Sequence, residues 1–93
     1  MINKNIIKIR LKLDKLDNAF LRLIKKRTNL VNQVLKNKTL KKDIVDKKRI
    51  SKILQNIYKK SKKRNIDTII TKRIWTSMIK AYIDYEFRNF KKK

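Results

Sequence analysis

From Ile6 to Val34 one stripe repeats in steps of three and four: Ile6, Ile9, Leu13, Leu16, Phe20, Leu23, Arg27, Leu30, Val34. That spacing places every member on one face of an α-helix. The chain contains neither Pro nor Gly, so nothing within the stripe breaks a helix. A helix is expected from about Lys4 to Lys38, roughly 50 Å long at about 1.5 Å per residue. Its one anomaly is Arg27, a cation where the repeat asks for an apolar residue.

Two shorter helices account for most of the remainder. One is expected from about Asp46 to Lys63, with Ile50, Ile53, Leu54 and Ile57 on one face. The other runs from about Asp67 to Asn89, with Ile70, Ile74, Met78, Tyr82, Glu86 and Phe90 four residues apart. Asp46 and Asp67 stand where N-caps belong. The connections are 39–45 and 64–66. The fold class is therefore all-α: three helices per chain, the N-terminal one much longer than the others. A compact monomer would use helices of similar length. The surplus apolar stripe calls for a second copy, so the expected assembly is an intertwined helical homodimer. Ninety-three residues fit one domain, 1–93.

Composition excludes several chemistries. The chain has no Cys and no His, which removes disulfides, thiolate ligands, a cysteine nucleophile and the commonest general base. Asp and Glu total seven, too few to suggest a carboxylate-rich metal site. No metal and no cofactor is expected. No continuous apolar run suggests a membrane span or secretory signal, so the expectation is a cytoplasmic protein. The formal charge of +22 points to an anionic partner or to a lysine-rich solvated surface. The lysines are spread along the chain, which fits a surface better than a dedicated nucleic-acid arm. A basic, nucleic-acid-binding helical dimer is thus the less favoured reading.

A second series shares part of the stripe: Arg10, Leu13, Asp17, Phe20, Ile24, Arg27, Val31, Val34, Lys38. Three cations, Arg10, Arg27 and Lys38, thus face inward. Burying an unpaired cation costs several kcal/mol, so each needs an anion or water. Arg27 and Lys38 lie about 16 Å apart along a helix, close enough to clasp one small anion. Arg10 and Arg27 lie about 25 Å apart, too far for a small molecule to bridge. In an antiparallel pair, however, Arg10 of one subunit can approach Arg27 of the other. The second helix adds Asp46 and Arg49 at i, i+3; alone, these suggest an ordinary ion pair. The third adds Glu86, which interrupts an apolar stripe and suggests either a salt bridge to a buried Arg or a functional acid.

These residues resemble those of the all-helical chorismate mutases over nearly the whole chain. The marks are IRLKLDKLDNAFLRLIKKRTNLVNQVLKNK (9–38), IVDKKRISKIL (44–54) and IWTSMIKAYIDYEFRNF (74–90). The resemblance implies an intertwined dimer with two sites, each borrowing one arginine from the other chain. It implies an isomerase converting chorismate to prephenate in phenylalanine and tyrosine biosynthesis. Arg10, supplied in trans, and Arg27 would hold the substrate carboxylates. Lys38 would donate to the ether oxygen that breaks from its carbon. Asp46 and Arg49 would line the ring side, and Glu86 would contact the same ether oxygen, which requires a protonated carboxyl. The rearrangement needs no nucleophile, metal or proton shuttle, so the lack of His and Cys costs it nothing.

Two positions depart from the mutase pattern. Ile50 stands where the family usually has a Glu that binds a substrate hydroxyl, and Tyr82 where it has a small hydroxyl residue. Both are similar to features of isochorismate-pyruvate lyases, which would give salicylate and pyruvate. Glu86 departs from the lyase pattern, which usually has Gln there.

Overall fold

Each helix begins where the sequence supplies an acceptor for its first N–H groups. The computed structural model describes residues 3–91. Helix α1 spans Lys4–Lys36, α2 spans Lys47–Lys63 and α3 spans Thr68–Asn89. A 3-10 helix, Lys41–Ile44, occupies the connection between α1 and α2, where no regular element was expected. The chain divides into two compact units, one ending at Gln33 and one beginning at Val34.

The first unit is helical from Lys4 onward. Asn3 Oδ1 accepts the Ile6 N–H at 2.9 Å, satisfying one of the donors that a helix start leaves open. The Thr28 hydroxyl donates to the Ile24 carbonyl at 2.8 Å, an i−4 bond that lets a β-branched polar residue sit inside a helix. The stripe that shaped this helix stays exposed in the single chain: Leu13, Leu16, Phe20 and Leu23 each keep more than half of their surface in contact with solvent.

In the second unit, α2 and α3 pack side by side, and the 3-10 helix packs on α3. Asp46 caps α2 by accepting the Arg49 N–H at 3.0 Å. Asp67 caps α3 by accepting the N–H groups of Ile69 at 2.8 Å and Ile70 at 3.1 Å. Lys60, Lys62 and Lys63 crowd the last turn of α2, where the helix dipole favours cations. Beyond them the Asn65 N–H donates to the Lys62 carbonyl, and the Ile66 N–H reaches back to Ser61. This pair of bonds is a Schellman motif, which demands a left-handed residue. With no Gly in the chain, Asn65 takes that role at φ 55°.

A hydroxyl pair ties the two helices together near this turn. Ser61 donates to the Ile57 carbonyl at 2.6 Å, which spends its single proton. The Ser61 and Thr71 hydroxyls also share a buried hydrogen bond of 2.8 Å. Apolar burial is thin: among the described residues only Leu35 and Ile44 are buried hydrophobics.

The caps differ from the surface ion pairs in what they contribute. Asp67→Ala is expected to lower stability by about 1 kcal/mol in urea denaturation. Asp84 pairs with Arg88 at 2.8 Å, but both side chains are mostly exposed. Asp84→Ala should therefore cost less than about 0.5 kcal/mol.

Candidate active site

Lys38 and Glu86 meet. Lys38 follows the end of α1, where its N–H donates to the Leu35 carbonyl at 3.1 Å and fixes its backbone. Its Nζ donates to Glu86 Oε1 at 3.0 Å, across 48 positions of sequence. Both side chains are largely withdrawn from water, with 18% and 9% of their surface exposed. Glu86 lies in the last turn of α3, one turn beyond Tyr82. The salt bridge expected from the interrupted apolar stripe therefore exists, with a lysine rather than an arginine as partner.

The other candidates of this unit sit close in sequence to these elements. The Asp46 carboxylate engages the backbone N–H of Arg49, so the pair read as an i, i+3 couple is a helix cap. The cap fixes the first turn of α2 and with it the positions of Arg49, which is exposed, and Ile50, which is half-buried. Tyr82 is half-buried, its ring edge-on to Tyr85 with centroids 6.3 Å apart. Arg10 and Arg27 belong to the first unit, where Arg10 is exposed and Arg27 half-buried.

A cavity of about 310 Å³ in the second unit is lined by Leu54, Ile57, Tyr58, Thr68, Thr71 and Lys72, among others, and by none of the candidate residues. The candidates are thus distinct from this groove. Chemically, the second unit offers an ammonium held by a carboxylate and an exposed guanidinium on the first turn of α2, whose backbone the Asp46 cap fixes. Such groups can bind an anion and stabilise developing negative charge. Among the described residues no group of three or more His, Cys, Asp or Glu could hold a metal ion. Among the described residues no helix is long and apolar enough to cross a membrane.

Sequence reasoning missed the direct contact of Lys38 with Glu86. A signal for it existed, because the resemblance assigned both residues to one ether oxygen, and two groups that share an atom must lie side by side.

Neither a curated protein nor a solved structure matches the chain significantly. Residues 9–87 match the family described as chorismate mutase type II, a span that includes every candidate from Arg10 to Glu86. With most of its length matched in this way, the chain belongs to the chorismate mutase type II family.

Proposed function

We propose that this protein is a chorismate mutase, a cytoplasmic isomerase in which the whole chain, 1–93, acts as one catalytic domain of a homodimer. The observation that carries the reading is the meeting of Lys38 and Glu86, two residues the family places at the reacting ether oxygen. The reaction is a [3,3] rearrangement: one C–O bond breaks as one C–C bond forms, within one molecule. Catalysis needs the folded, diaxial conformer held in place and the negative charge growing on the ether oxygen stabilised. Arg27 and the other subunit's Arg10 are assigned to the two carboxylates. Lys38 is assigned to the ether oxygen. Arg49 adds positive field on the ring side, beside Asp46. The charge of +22 assists by drawing a dianionic substrate inward.

A second reading rests on Ile50 and Tyr82. An aliphatic residue after Arg49 cannot accept a hydrogen bond from a ring hydroxyl. The isomer with its hydroxyl elsewhere on the ring loses nothing by that change, which favours isochorismate-pyruvate lyase activity. Incubation with each isomer in turn decides between the two. Prephenate from chorismate is the expected outcome. Salicylate and pyruvate from isochorismate, with no prephenate from chorismate, would sink the mutase reading.

A further inference from the structure

We propose that the outward face of α2 binds the phosphate backbone of double-stranded nucleic acid, without regard to sequence, beside the catalysis assigned above. Lys48, Lys52, Lys59 and Lys63 follow one another in steps of four, seven and four, and all four are exposed. That spacing stacks them on one face of the helix, over roughly 22 Å at about 1.5 Å per residue. The opposite face carries Ile50, Ile53, Leu54 and Ile57, all half-buried, and α2 packs on α3. Lysines that are spread evenly through the sequence are thus gathered by this helix into a ridge. Of the three α-helices, α2 alone has no acidic residue: eight of its 17 residues are Lys or Arg. By contrast, α1 holds Asp14 and Asp17, and α3 holds Asp84 and Glu86. Among the described residues no ion pair draws on the ridge. Lys48 with Lys52, and Lys59 with Lys63, are like charges at i, i+4, which disfavours the helix until an anion neutralises them.

The ridge also selects among anions. Its ends lie too far apart for a small molecule, so the ligand must repeat its charge. A membrane surface fits poorly, because an interfacial helix buries its apolar face in the lipid, and that face of α2 is turned inward. An acidic protein would need an aromatic or apolar anchor at the centre of the contact. Gln55 and Asn56 stand there instead, exposed in the gap between Lys52 and Lys59. Their amides suit phosphate oxygens. A single strand would need rings on which to stack its bases. The nearest ring, Tyr58, already carries the Lys62 ammonium 5.5 Å from its centroid. With no arginine on the ridge to fork a guanine, the contacts are to backbone and read no sequence.

The test is fluorescence anisotropy of a labelled, random-sequence DNA duplex of about 20 base pairs, roughly three ridge lengths, titrated with the full chain. Raising NaCl from about 50 to about 200 mM should weaken binding by about 100-fold or more, as neutralising four phosphates requires. Changing all four ridge lysines to Gln should lower the slope of log K against log salt by about 3.6. Gln has nearly the helix propensity of Lys, so α2 should persist, which circular dichroism checks. The paired changes Lys48→Gln with Lys52→Gln, and Lys59→Gln with Lys63→Gln, should each remove about half of that slope. The control changes Lys12, Lys25, Lys42 and Lys80 to Gln, which removes the same charge from scattered exposed positions. An equal loss in the control would assign binding to net charge and overturn the ridge. So would a parent chain that leaves the duplex free at about 50 mM salt. Phosphatidylserine-rich vesicles are the comparison probe: binding to them without binding to the duplex would give the face to a membrane and overturn the inference. The assay contains no substrate, so its outcome is separate from that of the mutase reading.

Discussion

Replacing Leu16 and Phe20 together by lysine is expected to convert the proposed dimer to a monomer and abolish the proposed chorismate turnover. Both side chains lie on the stripe that begins at Ile6, and both keep more than half their surface exposed in the single chain. Burying such a side chain against a second copy stabilises by about 1.5–3 kcal/mol. Two ammonium groups at the same positions replace that gain with a desolvation cost. They also add repulsion between chains that already carry +22 each. The thin apolar core of the second unit makes the loss harder to absorb, since Leu35 and Ile44 are the only buried hydrophobics among the described residues. Sedimentation equilibrium gives the mass, and prephenate formation gives the activity. Lys25→Gln, on the helix face opposite the stripe, is the control and should leave both unchanged. A double variant that sediments as a dimer, or turns over chorismate as a monomer, would refute the assembly proposed here.

Much of the second unit was legible because its helices announce their own ends. Asp46 and Asp67 were placed as caps from their position ahead of apolar runs, and both accept the expected N–H groups. The long stripe located α1 to within two residues at its C-terminal end, where Asn37 and Lys38 leave the helix. The 3-10 helix at Lys41–Ile44 escaped notice, because four residues carry too little periodicity to read. Asn65 was equally silent. A left-handed position usually betrays itself through Gly, and this chain has none. From periodicity alone, without the resemblance, the Lys38–Glu86 pair was legible only in halves. Each residue stood out as a charge on an apolar stripe, but their contact depends on packing that brings together positions 48 apart. Ile50 and Tyr82 are the reverse case. Their identities are plain in the sequence, yet the substrate isomer they select depends on a hydroxyl that the chain itself does not carry.

Arg10→Ala and Arg27→Ala should each be nearly inactive, and a mixture of the two should recover activity that neither has alone. Loss of one preorganised cation typically costs about 10²–10³ in rate. The recovery follows from geometry. Within one helix the two arginines stand about 25 Å apart, beyond the span of a small dianion. Each site is therefore assigned Arg27 of one chain and Arg10 of the other. In a mixed dimer, the chain that retains Arg27 meets the chain that retains Arg10, which makes one intact site. The remaining site lacks both arginines. Random pairing makes half the dimers mixed, so refolding equal amounts together should give about one quarter of the parent specific activity. If each chain instead built its site from its own two arginines, every site in every dimer would lack one cation. The refolded mixture would then be no more active than its components, and the assignment of Arg10 to the opposite subunit would be wrong.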